Sequence, residues 1–99
     1  MFVGMTRLEK LDLQDNQLSS LPLDVSCLVS LEHLRLSGNH ISSIPEGMCV
    51  GMTRLEELVL QDNQLTSLPL DISCLVSLKY LHLFRNHISS IPELVDRMI

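Results

Sequence analysis

The sequence predicts a solenoid of the α/β class, a curved stack with a parallel sheet on its concave side and irregular or 3-10 loops on its convex side. Two observations indicate this fold. The segment from Leu8 to Leu18 reads L-x-x-L-x-L-x-x-N-x-L, and the same pattern begins again at Leu31, Leu55 and Leu78. In each copy the leucines alternate with polar residues, as in a short strand with one buried face. Because such a strand leaves its backbone unpaired, each copy needs a neighbour beside it.

This pattern resembles the leucine-rich repeat over nearly the whole chain. The resemblance implies a leucine-rich-repeat solenoid, or horseshoe. We predict a single domain, residues 1–99, with repeats 1 to 4 near 8–30, 31–54, 55–77 and 78–99, so that the spacing alternates between 23 and 24 residues. One asparagine per repeat suits the corner after the strand, where its amide bonds free main-chain groups. A buried ladder of these amides is therefore predicted from Asn16, Asn39, Asn63 and Asn86.

Composition and charge restrict the range of possible functions. An apolar content of 45% is ample for the core of one domain, and a net charge of −5 argues against nucleic acid, which requires a basic patch. No segment has the length of a membrane span, and residues 1–5 lack the features of a signal peptide. We therefore expect no membrane contact and, if the protein is natural, a cytoplasmic location.

The cysteine and histidine residues do not indicate a catalytic site, a metal site or a disulfide. Cys27, Cys49 and Cys74 are expected to be buried or half-buried reduced thiols, because the equivalent pair Cys27 and Cys74 lies two repeats, or about 9–10 Å, apart. His40 and His87 are separated by a similar distance, which is too far to share one metal ion. No catalytic residue, metal site or cofactor is predicted, and we expect that the protein is not an enzyme.

A longer period of 47 residues divides the chain into two similar halves. Residues 3–46 and 50–93 differ at nine positions, and seven of these are non-leucine places in the strand motifs. The scaffold positions were therefore copied while the exposed strand positions were varied. This favours an engineered, de novo designed repeat protein or a recent duplication. The alternative is a natural cytoplasmic protein–protein interaction module, or a fragment of a longer repeat array.

The outward side chains of the four strands form three columns, here called the strand face. The columns are Lys10, His33, Glu57 and Tyr80, then Asp12, Arg35, Val59 and His82, then Gln14, Ser37, Gln61 and Phe84. In the family that the chain resembles, this concave surface is the usual site for protein partners, because a rigid sheet presents side chains at low entropic cost.

Repeat 4 carries the most suggestive side chains of the strand face. Tyr80, Phe84 and the adjacent Arg85 are of types that are enriched in binding hot spots, so we predict a protein or peptide partner here. The alternative is a solvated face with one unusual residue. The face covers about 250 Å², compared with about 800 Å² for one side of a stable protein interface, which suits a peptide or a loop.

The two ends of the chain are apolar, although terminal repeats normally carry polar caps. The residues concerned are Met1, Phe2, Met5, Leu94, Val95, Met98 and Ile99. We therefore predict that the ends associate and that the protein forms homo-oligomers.

Overall fold

Four short strands form one parallel sheet in the computed structural model, which describes residues 4–21 and 23–89. The strands are β1 (Lys10–Asp12), β2 (His33–Arg35), β3 (Glu57–Val59) and β4 (Tyr80–His82), in the order β1-β2-β3-β4. The central leucine of each strand pairs with the central leucine of the next. Each repeat thus supplies one strand, and the predicted parallel solenoid is confirmed.

Short 3-10 helices run along the opposite, convex side. They span Leu23–Cys27, Met48–Gly51 and Leu70–Cys74. Pro69 is extended, with φ −66° and ψ 150°, immediately before the third helix, and Gly47 is left-handed, with φ 85°, before the second. The two repeats with the shorter spacing contain the five-residue helices, and the repeat with the longer spacing contains the four-residue helix. The alternation of 23- and 24-residue spacings therefore appears in the structure as an alternation of helix lengths.

The core is a single column of aliphatic side chains between the sheet and the loops. In repeats 2 and 3 the motif leucines, among them Leu34, Leu36 and Leu58, are fully buried. The equivalent Leu11 and Leu13 of repeat 1 are only partly buried, because among the described residues repeat 1 has a neighbouring repeat on one side only. Burial of apolar area is the main stabilising term, at about 25 cal/mol per Å², so the central repeats contribute most of it.

The asparagine amides join neighbouring repeats. The Asn39 Nδ2 group donates to the carbonyl oxygen of Leu13 in repeat 1 at 3.0 Å and to that of Leu36 in its own repeat at 2.9 Å. Its Oδ1 atom accepts from the backbone N–H of Leu18 at 3.1 Å. Asn63 repeats this arrangement one step further along the stack. Each amide therefore satisfies backbone groups of two repeats at once.

The prediction that all four amides are buried is wrong for the ends of the ladder. Asn39 and Asn63 are 4% and 5% exposed, but Asn16 is exposed and Asn86 is half-buried. Asn16 bonds only to Leu13 and Gln14 of its own repeat within the described part of the chain. The cause is its position in repeat 1, which has no described repeat before it.

The residue before each asparagine has a left-handed backbone. The φ values are 56°, 71°, 58° and 57° at Asp15, Gly38, Asp62 and Arg85. Aspartate and asparagine tolerate this region better than most residues, and glycine adopts it without steric cost. Gly38 is further constrained because a Cβ atom there would collide with Oδ1 of Asp15.

The three cysteines are free, as predicted. Cys49 is buried, whereas Cys27 and Cys74 are half-buried. Burial is the largest cause that raises the pKa of the Cys49 thiol to about 12, and electrostatic repulsion from Asp71 and Cys74 contributes to the same shift. Since the thiolate is the reactive form, Cys49 is a packing residue.

Candidate functional site

The strand pairing confirms the register of the first two columns of the strand face. Lys10, His33, Glu57 and Tyr80 are paired in order across the sheet, as are Asp12, Arg35, Val59 and His82. The third column is joined by backbone bonds from Asp15 N–H to the Ser37 oxygen and from Asp62 N–H to the Phe84 oxygen, both 2.9 Å long. The strand face is therefore one continuous surface.

Aromatic side chains stand out from repeat 4. Tyr80 is 59% exposed and Phe84 is 70% exposed. His82, between them in sequence, is half-buried, as is Val59, its partner in β3. Because alternate residues of an extended segment share one face, Tyr80, His82 and Phe84 form a row with a spacing of about 7 Å. This row and Val59, here called the aromatic patch, are the most apolar part of the strand face.

A three-residue ionic network occupies the centre of the strand face. Oε1 of Glu57 lies 3.0 Å from Nδ1 of His33 and accepts a hydrogen bond from Nε of Arg35 at 3.1 Å. The hydrogen bond with His33 is the largest cause that holds the pKa of the Glu57 carboxyl below its usual range; the hydrogen bond and charge of Arg35 act in the same direction, and burial opposes both. The side chain of Glu57 is only 19% exposed. The network fixes the Arg35 guanidinium and neutralises much of its charge.

Ser37, which was predicted as part of the partner-binding strand face, is buried rather than exposed. It is 8% exposed, and its hydroxyl donates to Oε1 of Gln14 at 2.8 Å. The Gln14 side chain also donates to Oδ2 of Asp12 at 3.0 Å. Serine is short, so the longer Gln14 side chain closes over it. The polar end of the face at repeats 1 and 2 is thus held by internal hydrogen bonds.

The border of the face near repeat 4 carries a second ion pair. Nη1 of Arg85 lies 3.4 Å from Oδ1 of Asp62. These two residues, together with Gln61 and Phe84, line a shallow depression beside the aromatic patch. Arg85 is 82% exposed, so the pair is open to solvent and weak.

The remaining predicted residues lie at one edge of the strand face or outside the described ranges. Lys10 and Asp12 are exposed at the repeat 1 edge. Of the predicted self-association residues, Met5 is described and is 49% exposed, whereas Met1, Phe2, Leu94, Val95, Met98 and Ile99 lie outside the described residues.

Two further observations on the described residues concern metal-binding groups and membrane-spanning helices. Within 4–21 and 23–89, no group of three or more histidine, cysteine or acidic residues is placed to hold a metal ion. In the same ranges, no helix is both long and apolar enough to span a membrane.

The bonds from Glu57 to His33 and Arg35 were not predicted from the sequence. The columns contained the signal, because Glu57 is next to His33 in the first column and Arg35 lies two residues further along β2. Unlike charges in adjacent strands at matched register attract one another. The columns predicted which residues are neighbours, but not which of them bond with each other in preference to water.

Family comparisons agree with this geometry. A family model described as "Leucine rich repeat" matches residues 29–88, and one described as "Leucine Rich repeats (2 copies)" matches residues 6–47. The chain therefore belongs to the leucine-rich-repeat family. Members of this family generally mediate protein–protein interactions and are typically not enzymes. No curated protein matches the sequence.

Solved structures show the same fold. A leucine-rich-repeat protein of Leptospira interrogans is 34% identical with a TM-score of 0.89, and the match covers 95% of this chain and 24% of that one. An internalin of Listeria monocytogenes is 30% identical with a TM-score of 0.76, over 94% of this chain and 27% of the other. The leucine-rich-repeat ectodomain of a plant membrane receptor kinase of Arabidopsis thaliana, solved in complex with Casparian strip integrity factor 2, is 34% identical with a TM-score of 0.76, over 88% and 10%. This chain thus spans a quarter or less of the length of the first and third, and 27% of the second.

Proposed function

We propose that the protein is a non-catalytic interaction module whose strand face binds an extended peptide or a protein loop through the aromatic patch. One observation carries this proposal. Tyr80 and Phe84 are 59% and 70% exposed on a surface where the equivalent places of repeat 2 hold histidine and a buried serine. Exposed aromatic residues contribute large contact areas and lose few rotatable bonds on binding, and they dominate binding energies at interfaces.

The charges of the strand face indicate an apolar or mixed partner. Glu57 bonds both His33 and Arg35 at the centre of the strand face, and the adjacent Asp62 balances the charge of Arg85, although that pair is open to solvent. We therefore expect affinity for an aliphatic or aromatic side chain, with little dependence on salt. Two findings support a protein or peptide partner: the general role of the family, and the plant receptor ectodomain solved in complex with Casparian strip integrity factor 2.

A displayed library of random peptides tests this proposal. Peptides selected on the wild-type protein should lose binding by about tenfold or more when Tyr80 and Phe84 are both replaced with serine, because removing a hot-spot side chain costs about 1–2 kcal/mol or more. The matched control replaces Leu70 and Val76, which are 88% and 76% exposed away from the strands, with serine. The control should keep its affinity. Equal losses in both variants, or no selected binder at all, would contradict the proposal.

We also propose self-association through the ends of the stack, as a second behaviour. Leu8, Leu11, Leu13 and Leu18 of repeat 1 are only partly buried, whereas their counterparts in repeats 2 and 3 are fully buried. Association would complete their burial at about 25 cal/mol per Å². Light scattering over a wide range of concentrations tests this idea. A monomer at high micromolar concentration would remove it.

The origin and location of the chain stay predictions. The 47-residue near-copy supports an engineered or duplicated repeat pair, and the same halves are compatible with a natural cytoplasmic module or a piece of a longer array. With either origin, the residues of the strand face are those that differ most between the two halves of the chain.

A further inference from the structure

The outer surfaces of repeats 1 and 4 resemble two surfaces that pack against each other inside the chain, between repeats 3 and 2. The 47-residue period makes residues 78–93 of repeat 4 a near-copy of residues 31–46 of repeat 2, and it makes repeat 1 a near-copy of repeat 3. In the structure, repeat 2 packs on repeat 3 through the β2–β3 pairing. The sheet order leaves β1 and β4 with one neighbouring strand each among the described residues. The outer edge of β4 and the outer edge of β1 therefore resemble the two sides of an interface that exists inside the chain.

The hydrogen-bond pattern of the asparagine ladder fits such a junction. Oδ1 of Asn63 accepts from Ile41 N–H at 3.1 Å, and its Nδ2 group donates to the Leu36 oxygen at 3.0 Å. The counterparts at a β4–β1 junction are Asn16 of one chain and the N–H of Ile88 and the oxygen of Leu83 of another. Asn16 is exposed and, within the described residues, bonds only inside its own repeat. A second copy would give its amide the two partners that the inner amides have.

The two outer edges also carry opposite charges at matched positions. On the edge of repeat 1, the three register positions hold the exposed acids Glu9, Asp12 and Asp15. On the edge of repeat 4, the same three positions hold the cations Lys79 and Arg85, with His82 between them. Both cations also make exposed pairs with acids of repeat 3, Lys79 with Glu56 at 3.8 Å and Arg85 with Asp62 at 3.4 Å.

Charge distinguishes the possible directions of association. Head-to-tail contact places each acid beside a base, whereas head-to-head or tail-to-tail contact places like charges together. Like charges opposed across strands are destabilising, so only one direction is favoured.

We infer that the protein associates head to tail, with β4 of one copy pairing in parallel with β1 of the next. This inference rests on the self-association proposed above and adds its direction, register and ion pairs. Leu81 then pairs with Leu11, Lys79 with Glu9, and Arg85 with Asp15. A heterologous contact of this kind gives a closed ring if the rotation between copies closes, and an open chain of molecules if it does not.

Two charge-swap variants of the full chain test the direction. The acid-edge variant carries Glu9→Lys and Asp15→Arg, which copy the residues of repeat 4. The base-edge variant carries Lys79→Glu and Arg85→Asp, which copy those of repeat 3. Since each replacement already occurs at its structural position elsewhere in the chain, the fold is expected to persist, and circular dichroism checks this.

Sedimentation then measures association at low salt. Each variant alone should associate at least about tenfold more weakly than the wild type, because two attractions become two repulsions at one junction. An equimolar mixture should recover wild-type association, because every junction between unlike variants again joins acids to bases. The control Glu46→Lys changes an exposed charge away from the sheet edges and should shift association by no more than about twofold.

The outcomes separate this inference from the broader proposal. Variants that associate like the wild type, or a mixture that recovers nothing, overturn the head-to-tail pairing while end association itself stands. Loss of association in only one of the two variants overturns it as well, since both edges meet in a head-to-tail junction. A monomeric wild type under all conditions overturns both.

Discussion

Replacement of Asn63 with alanine tests how the repeats are held together. The Asn63 amide donates to the oxygens of Leu36 and Leu60, both at 3.0 Å, and accepts from the N–H of Ile41 at 3.1 Å. Asn63 is 5% exposed and Ile41 is fully buried. Without the amide, the Ile41 N–H stays inside the stack with no partner, and the corner between repeats 2 and 3 loses its cross-link.

The magnitude follows from the number of groups left unpaired. A buried donor without a partner costs about 1–3 kcal/mol, and each further lost hydrogen bond costs about 1 kcal/mol. Asn63→Ala should therefore lower the free energy of unfolding by about 3 kcal/mol. Asn16→Ala removes two bonds at an exposed site, 2.8 and 3.1 Å long, where water can take their place. Its cost should be about 1 kcal/mol or less.

Urea unfolding of dilute protein, followed by circular dichroism, measures both changes. Gln64→Ala, an exposed neighbour of Asn63, is the control and should stay within about 0.5 kcal/mol of the wild type. Equal losses for Asn63→Ala and Asn16→Ala would refute the reasoning, because the difference between them comes only from burial and from the bonds between repeats.

Three other predictions concern backbone, charge and thiol chemistry. Gly38→Ala should lower the free energy of unfolding by about 1–2 kcal/mol in urea, because φ is 71° and the new Cβ meets Asp15. Glu57→Gln should destabilise the protein at neutral pH and match the wild type in acid, as thermal melts across the pH range would show. The folded-state pKa of Glu57 is lowered, chiefly by His33, so its contribution is present above the usual carboxyl pKa of about 4.3 and is lost as the pH falls through the folded value. At pH 8 a colorimetric thiol reagent should modify Cys49 far more slowly than the other two cysteines, since its pKa is about 12.

Each of these three predictions has an outcome that would contradict it. Asp15→Ala in the Gly38→Ala background should recover part of the loss, and no recovery would exclude the proposed collision. An unchanged difference between Glu57→Gln and the wild type from neutral to acid pH would show that the His33 bond does not lower the carboxyl pKa. The three thiols should react at one rate only when the protein is unfolded in urea. Equal rates in the native state would contradict the burial of Cys49.

The repeat pattern was enough to predict the fold, because the residues that determine the buried face and the register of each strand are part of the repeated motif. The alternating leucines specify which face of each strand is buried, and the constant spacing specifies the register. The columns through Lys10 and Asp12 therefore matched the pairing of the strands. The full burial of the asparagine ladder was predicted wrongly at Asn16, because the motif is the same in every repeat while the number of neighbouring repeats is not.

The strand face was predicted less completely. Its positions follow from strand periodicity, but its side-chain contacts depend on length and charge across neighbouring strands. Ser37 is covered because Gln14 is long enough to reach over it. Glu57 is clamped because two basic side chains converge on one carboxylate oxygen. The exposure of Tyr80 and Phe84 does not depend on such contacts, and it was predicted from the sequence alone.

The most direct test is nuclear magnetic resonance mapping of a peptide selected on the wild-type protein. The predicted result is that the largest shift changes fall on Tyr80, His82 and Phe84 and extend to Val59. Shift changes confined to the loop side, around Val29 and Val76, would contradict the assignment of the strand face as the binding surface.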